Sequence, residues 1–133
     1  GKSERKGMLS GVSVGLPALI QAQQYQARTA RIGFDWPDVN GVEAKIGEEL
    51  AEFKAASDET QKEHEMGDLL FSVVNLARWH GIDAESALRA SNTHFRRRFE
   101  YMEAAILSDG KELGSLDQRE LDVYWDRAKN EGM

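Results

Sequence analysis

Four carboxylates form two pairs with helical spacing in the middle of this sequence. Glu49 and Glu52 are one pair and Glu65 and Asp68 the other, each with the i, i+3 separation that shares a helix face. Four carboxylates in one place raise each other's pKa unless a cation lies between them. Oxygen ligands without His or Cys favour a hard cation, and Mg²⁺ is the usual intracellular choice. The spacing therefore predicts a magnesium site if the two pairs face each other.

The second pair belongs to a segment that reads as buried. Residues 68–77 are apolar except for Asp68, Ser72 and Asn75, which share with Glu65 a sector of about 80° on a helical projection. A helix that is apolar on nearly all sides is expected inside a fold. Acidic groups there are costly unless they are paired or bound to metal.

The first pair admits two interpretations. Glu49 lies beside the apolar face of its helix, Glu52 at the edge of that face, and Glu48 is rotated further out. If the two helices are antiparallel neighbours joined by a short turn, Glu49 and Glu52 face the second pair. The alternative is a solvated helix face on which the three glutamates pair with Lys45 and Lys54.

The elements that must position these groups all read as helices. Periodicity and terminal signals predict about five helices and no strand, which indicates an all-α bundle with short loops. The expected helices cover residues 17–33, 40–57, 60–81 and 83–106, with a fifth from about residue 117. Capping-box pairs are expected at three of the starts: Asn40 with Glu43, Thr60 with Glu63, and Asp117 with Glu120.

Composition narrows the class of protein. The chain has 133 residues, enough for one domain, and no cysteine, which excludes disulfides and thiolate sites. A net charge of −6 argues against a nucleic-acid-binding domain. The longest uncharged run, residues 8–20, is interrupted by Gly and Pro and is too short to span a bilayer. We expect a soluble cytoplasmic protein, with a flexible lead-in or linker over residues 1–15 and one domain over residues 16–133.

Longer motifs surround the carboxylates. Residues 45–52 and 65–71 together have the form E-x-x-E, a spacer and E-x-x-D, and residues 75–78 follow as Asn-Leu-Ala-Arg. Three further motifs lie at residues 26–36, 92–99 and 125–129. In this order they resemble the MazG family of nucleoside triphosphate pyrophosphohydrolases, most closely the catalytic C-terminal half of two-domain members. The likeness runs from residue 16 to the end of the sequence.

The resemblance implies a fold, a cofactor and a reaction. The fold is a MazG-like helical bundle active as a homodimer, and an apolar third helix with one face uncovered gives a physical reason to associate. Mg²⁺, or Mn²⁺ as a substitute, is implied on Glu49, Glu52, Glu65 and Asp68. The reaction is hydrolysis of a nucleoside triphosphate between the α and β phosphates to NMP and pyrophosphate, in nucleotide-pool sanitation. Glu48, next to the ligand stripe, is our candidate general base.

The triphosphate also requires positive charge. His94 and Arg98 lie one turn apart on the fourth helix, and Arg98 and Lys129 match phosphate-binding positions of the family. The family usually has Lys where this chain has His94, so the charge at that position depends on pH. A solvated basic helix surface is the alternative interpretation of Arg98.

Three further residues are candidates for contact with the nucleoside. Trp36 and Trp125 are suited to stacking on a base, and Asn75 to binding a phosphate, a sugar or a ligand carboxylate. Core packing for the two indoles and a satisfied buried amide for Asn75 are the alternatives.

Other functions are weighed against this one. A specialised dUTP, dCTP or phosphoribosyl-ATP pyrophosphohydrolase stays open, as does a catalytically quiet nucleotide-binding or dimerisation module. The G-x-S-x-G pattern at residues 11–15 lacks the strand and sheet that a nucleophile elbow requires. A di-iron site is excluded because no His follows a Glu by three residues.

Overall fold

The computed structural model describes residues 7–133, and these residues confirm the all-α prediction. Five α-helices, one 3-10 helix and no strand occur within this range. The helices are α1 (Ala18–Arg31), α2 (Val39–Ala55), α3 (Glu59–Trp79), α4 (Ala84–Ser108) and α5 (Gln118–Asn130), with the 3-10 helix at Leu113–Ser115. None of the helices in the described part is both long and apolar enough to cross a membrane.

The starts of α2 and α3 differ from the predicted capping boxes. Asp38 caps α2, where its Oδ1 accepts a hydrogen bond from the Asn40 backbone N–H at 2.9 Å. Asp58 caps α3 in the same way, accepting from Gln61 N–H at 2.7 Å. The predictions that Asn40 and Thr60 open these helices are therefore wrong. An aspartate just upstream already supplies an anionic acceptor to the unpaired N–H groups of the first turn.

Other end signals are confirmed. Asp117 and Glu120 form the complete capping box of α5. The Asp83 carboxylate accepts from Ser86 N–H at 3.0 Å at the start of α4. Gly81 ends α3 with a φ of +67°, a backbone conformation that side chains disfavour and glycine adopts freely.

The chain divides into two compact units, one up to Ala87 and one from Leu88 to Met133. In the N-terminal unit, α2 and α1 each pack against α3. The loop between α2 and α3 is short, which makes these two helices an α-hairpin. This hairpin carries both pairs of carboxylates.

Helix α3 is less buried than its sequence predicts. Ser72 and Val74 are buried, but Leu70, Phe71 and Val73 are 53%, 46% and 47% exposed. The expectation of a helix buried on nearly all sides is therefore wrong for the single chain. One apolar face of α3 is solvent-exposed within it, as the expectation of an uncovered face on the third helix predicts.

The segment before α1 contains turns and one buried residue. Val12 is buried, and the Arg28 guanidinium of α1 donates to the Met8 carbonyl at 2.9 Å. The same guanidinium lies against Gly11, where an added Cβ would come within 2.9 Å of it. Part of the predicted lead-in, residues 1–6, lies outside the described residues, and its boundary with the domain stays a prediction.

The C-terminal unit has its own core. Met102 and Ile106 of α4 and Tyr124 of α5 are buried together, and partly buried apolar residues surround them. The Tyr124 hydroxyl donates to Asp109 Oδ2 at 2.6 Å. This hydrogen bond is the main reason that the pKa of Asp109 is lowered.

The core of the C-terminal unit makes a stability prediction. Ile106 is 1% exposed, so Ile106→Ala removes buried methyl groups and leaves a cavity. We expect a loss of about 2–5 kcal/mol in the free energy of unfolding, measured by urea denaturation. Leu107→Ala, on the same helix but 75% exposed, is the control and should cost less than about 0.5 kcal/mol. Equal losses for the two variants would contradict this core.

Candidate metal centre and adjoining cavity

The α2–α3 hairpin brings three of the four predicted carboxylates together. One carboxylate oxygen from each of Glu49, Glu65 and Asp68 lies within 4.8 Å of the other two. Glu49 projects from α2, and Glu65 and Asp68 project from α3 one turn apart. The juxtaposition follows from the i, i+3 spacing on α3 and from the pairing of the two helices. A cation bound at this point would contact all three side chains.

Two buried oxygens of this cluster have no partner within residues 7–133. Glu49 is 4% exposed, and neither its Oε2 nor Glu65 Oε2 has a hydrogen-bond partner in this part of the chain. The other Glu49 oxygen accepts from Lys45 Nζ at 2.8 Å. This bond lowers the pKa of Glu49, so the carboxylate is held ionised. Buried carboxylate oxygens that lack a donor fit a hard, oxygen-binding cation such as Mg²⁺ or Mn²⁺.

Glu52 is placed at the margin of the cluster. It is exposed and is not one of the three residues whose oxygens converge. The pKa of Glu52 is raised mainly by the negative charge of Glu49. Partial loss of contact with water and the nearby Glu65 add to this shift. Glu52 is thus close enough to feel the other carboxylates, and its role as a ligand stays a prediction.

Two basic residues, Lys45 and His64, lie next to the carboxylate cluster. Lys45 Nζ also lies 3.5 Å from Glu48 Oε1, so the lysine pairing of the alternative interpretation occurs beside the converging carboxylates. His64 Nε2 lies 3.3 Å from Asp68 Oδ2. His64 was not predicted as a neighbour of the site, although its i, i+4 spacing from Asp68 gives the signal. Glu48 itself is exposed on α2.

A second feature of the same unit is a cavity of about 600 Å³. Its lining includes both Trp36 and Asn75, two of the predicted substrate-binding residues. Aromatic rings from α1, the α1–α2 loop and α3 also contribute, namely Tyr25, Phe34 and Phe71. A cavity of this size with aromatic walls fits a planar organic ligand.

Asp35 ties one wall of the cavity to α3. Its Oδ1 accepts hydrogen bonds from Arg78 Nη2 at 2.6 Å, from the Trp36 backbone N–H at 2.8 Å and from Trp79 Nε1 at 3.3 Å. Burial acts to raise the pKa of Asp35, but the hydrogen bond from Arg78 and the bond from the Trp36 backbone outweigh it and lower the pKa. Arg78 Nε also donates to Asn75 Oδ1 at 2.9 Å. Asp35 and Arg78 lie within the motifs at residues 26–36 and 75–78, but no role was predicted for either.

Trp36 rests against a residue without a side chain. A Cβ added at Gly41 of α2 would lie 2.7 Å from Trp36 Cε3. The indole therefore packs directly on the helix backbone at this position. Trp36 is 41% exposed, which leaves part of it accessible to a ligand in the cavity.

The remaining predicted residues belong to the C-terminal unit. His94 is exposed on α4 and Lys129 is exposed on α5. The Arg98 guanidinium lies 5.8 Å from the centre of the Trp125 ring, and its Nε donates to the Met133 carbonyl at 2.6 Å. Trp125 also packs on Phe95 at 5.6 Å between ring centres. Arg98 and Trp125 are thus in contact within this unit, and the roles of all four residues stay predictions.

Comparison with known proteins identifies the family. The sequence profile described as phosphoribosyl-ATP pyrophosphohydrolase matches residues 20–94, which is more than half of the chain. The chain belongs to this family. The matched segment contains the converging carboxylates and the cavity residues from Tyr25 to Arg78.

Two curated relatives of this MazG-like chain extend over nearly all of it. The nucleoside triphosphate pyrophosphohydrolase/pyrophosphatase MazG of Thermotoga maritima is 44% identical over an alignment of 133 positions. This alignment covers 96% of this chain and 52% of the relative. The nucleoside triphosphate pyrophosphohydrolase of Escherichia coli is 39% identical over 128 residues, 92% of this chain and 49% of the relative. The chain therefore spans about half the length of the curated relatives it matches. The predicted resemblance to the MazG family is confirmed.

The Asp35 hydrogen bonds predict an acid-sensitive contribution to the stability of this MazG-like domain. Because the folded-state pKa is lowered, the contribution is present above the ordinary Asp pKa and is lost as the pH falls through the folded value. We expect Asp35→Asn to lower the free energy of unfolding near neutral pH by about 1 kcal/mol. The difference from the parent should shrink below about pH 4 in urea titrations.

An exposed aspartate provides the control for this measurement. Asp126 lies on the surface of α5. Asp126→Asn should change the unfolding free energy by less than about 0.5 kcal/mol near neutral pH. A difference between Asp35→Asn and the parent that stays constant from neutral to acidic pH would contradict the assigned role of Asp35.

Proposed function

We propose that this domain is a Mg²⁺-dependent nucleoside triphosphate pyrophosphohydrolase. It takes an NTP or dNTP and one water, cleaves between the α and β phosphates, and releases the NMP and pyrophosphate. The observation that carries the proposal is the convergence of Glu49, Glu65 and Asp68 with two unpartnered buried oxygens. The names of the two relatives support it, since both are nucleoside triphosphate pyrophosphohydrolases. The biological role would be nucleotide-pool sanitation.

The carboxylates are proposed to hold the metal. Glu49, Glu65 and Asp68 supply the converging oxygens, and Glu52 at the margin is the fourth proposed ligand. Mg²⁺ is the proposed ion and Mn²⁺ its substitute, because both accept oxygen ligands. The bound ion would neutralise charge on the phosphoryl oxygens and lower the pKa of the attacking water.

Other residues of the chain are proposed to act as the general base and to bind the substrate. Glu48 is the proposed general base, since it is exposed beside the cluster and can take a proton from water. Trp36 and Asn75 are proposed to bind the nucleoside within the cavity. Arg98, Lys129 and His94 are proposed to bind phosphate, and Trp125 to stack on the ligand. These four lie in the C-terminal unit.

The setting of the reaction is part of the proposal. The exposed apolar face of α3, at Leu70, Phe71 and Val73, supports assembly as a homodimer. A chain with a net charge of −6 and no cysteine suits the cytoplasm, without a nucleic-acid or membrane partner. Because the chain matches about half of each relative, the proposal concerns the activity of this domain alone.

Pyrophosphate release tests the reaction. A panel of NTPs, dNTPs and phosphoribosyl-ATP is assayed with and without Mg²⁺, with identification of the monophosphate product. Phosphoribosyl-ATP is included because the family takes its name from this substrate. We expect Mg²⁺-dependent release that Glu49→Gln reduces by at least about 100-fold, since a ligand and a buried charge are lost.

Glu43→Gln is the matched control, because Glu43 is an exposed glutamate on the same helix. It should retain the parental rate and the parental Mg²⁺-dependent rise in melting temperature, whereas Glu49→Gln should lose both. Tight nucleotide binding without pyrophosphate release would instead identify a catalytically quiet binding module. Release from phosphoribosyl-ATP alone would identify a specialised enzyme.

The assignment of Glu48 is tested separately. Glu48→Gln removes the proposed base but keeps the size of the side chain, so kcat should fall about 100-fold. Mg²⁺ affinity, measured by calorimetry, should stay at the parental value because Glu48 lies outside the converging oxygens. A variant that keeps the full rate with intact metal affinity would refute this role.

A further inference from the structure

Asn75 of α3 is a side chain of the cavity wall whose amide is held in one orientation. Its Oδ1 accepts a hydrogen bond from Arg78 Nε at 2.9 Å. A guanidinium only donates hydrogen bonds, so this contact identifies the oxygen end of the amide. The Asn75 NH₂ group is thereby left as a donor, and it makes no hydrogen bond within residues 7–133.

Arg78 is held in turn by a second bond and keeps a free donor of its own. Its Nη2 donates to Asp35 Oδ1 at 2.6 Å, which leaves Nη1 without an acceptor in the described part of the chain. Asn75 and Arg78 are both partly exposed, and both line the cavity. Neither Asn75 Nδ2 nor Arg78 Nη1 is among the buried polar atoms that lack a partner within residues 7–133. A molecule in the cavity can therefore reach both donors.

The position of Asn75 along α3 relates this wall to the carboxylates. Asn75 follows Asp68 by seven residues, which is two turns and about 10 Å along the helix axis, so the two side chains share a helix face. A nucleotide whose phosphates lie at the carboxylates would extend along α3 and bring its base to Asn75. The rings of Tyr25 and Trp36 in the same cavity suit the flat faces of a base.

The two donors favour one kind of group on the edge of the base. A carbonyl oxygen has two lone pairs and accepts from both donors, whereas a ring nitrogen has one. An exocyclic amino group that faces this wall brings donors against donors and leaves them unpaired, which costs free energy. The wall thus distinguishes bases by the presence of a carbonyl group.

We infer that Asn75, oriented by Arg78, is a specificity-determining residue that donates a hydrogen bond to a carbonyl oxygen of the nucleobase. The inference rests on the proposed function and names its substrate class more narrowly, as nucleotides whose base carries a carbonyl group. Guanine, hypoxanthine, cytosine, uracil and thymine carry one, and adenine does not. The site accepts the first five bases and disfavours adenine.

Nucleoside binding tests this inference without phosphate, metal or turnover. Inosine is compared with adenosine, which has the same ring system with an amino group in place of the carbonyl, by ¹H–¹⁵N NMR titration of the full chain. Guanosine and 2-aminopurine riboside, which lacks the carbonyl, form the second pair. We expect the parent to bind the carbonyl-bearing member of each pair about 5- to 100-fold more tightly, with shifts at cavity residues.

Two asparagine variants form the matched comparison. Asn75→Asp keeps the shape of the side chain and the acceptor for Arg78 but replaces the NH₂ donor by an oxygen, so the preference within each pair should disappear or reverse. Asn130→Asp makes the same change of charge at an exposed position of α5 and should keep the parental preference. Equal affinity of the parent for both members of a pair, or a parental preference that survives Asn75→Asp, would overturn the inference.

The orienting role of Arg78 has its own variant. Arg78→Lys keeps the positive charge and a donor for Asp35, but a lysine ammonium lacks the planar fork that binds Asp35 and Asn75 together. The preference within each pair should fall toward onefold while both nucleosides still bind. An unchanged preference would show that Arg78 does not orient the amide and would refute its part in the inference.

A signal of the parent protein keeps the test decisive if the variants fail to fold. The Asn75 side-chain NH₂ group gives its own pair of peaks in the same ¹H–¹⁵N spectrum. Saturating inosine or guanosine should shift these peaks more than saturating adenosine does, because only the first two place a carbonyl oxygen at this group. Peaks that do not move with either carbonyl-bearing nucleoside would refute the inference.

The outcome is separable from that of the proposed function. Pyrophosphate release with equal affinity for both members of each pair would refute the role of Asn75 and leave the reaction standing. A preference abolished by Asn75→Asp, without pyrophosphate release from any nucleotide, would support Asn75 and refute the reaction. The two proposals therefore fail through different measurements.

Discussion

Burying the Glu49 carboxylate beside those of Glu65 and Asp68 opposes folding in two ways. The charge leaves water, and it lies near two charges of the same sign. The ion pair with Lys45 offsets part of this cost, and the apolar contacts between α2 and α3 must supply the rest. The α2–α3 hairpin thus keeps the three carboxylates together although their mutual repulsion is unfavourable. Such local conflict within a well-packed element is typical of functional sites.

Local signals explain how much could be predicted from the sequence. The carboxylate pairs, the Asp117 capping box and the end of α3 at Gly81 each depend on residues within about one helical turn, where spacing alone defines geometry. The errors at α2 and α3 were also local: Asp38 and Asp58 lie just upstream of the residues predicted as caps, and their carboxylates accept the hydrogen bonds of first-turn N–H groups. An uncovered face on α3 was expected from its apolar composition, but the residues that form this face could not be named. An apolar composition shows that a face seeks cover, but not whether one chain supplies it.

Contacts between distant segments explain what could not be predicted. The bond from Arg78 to Asp35 joins residues 43 positions apart, and that from Gln26 to Phe71 joins residues 45 positions apart. Neither pair has a fixed spacing that a single sequence reveals. Both lie within the motif stretches that carried the resemblance, so the motifs located the cavity segments without revealing their hydrogen bonds. The marginal position of Glu52 is similar, because the i, i+3 rule defines a helix face and not the depth of each side chain.

The contact between Trp36 and Gly41 has a consequence for how this cavity can change. The indole occupies the space that any side chain at position 41 would need, so a single methyl group on α2 displaces the aromatic wall. Gly41 lies two turns before Glu49 on the same helix, away from the converging oxygens. Cavity shape and the proposed metal site are therefore separable features of α2. A substitution at position 41 would change the cavity wall without touching the converging carboxylates.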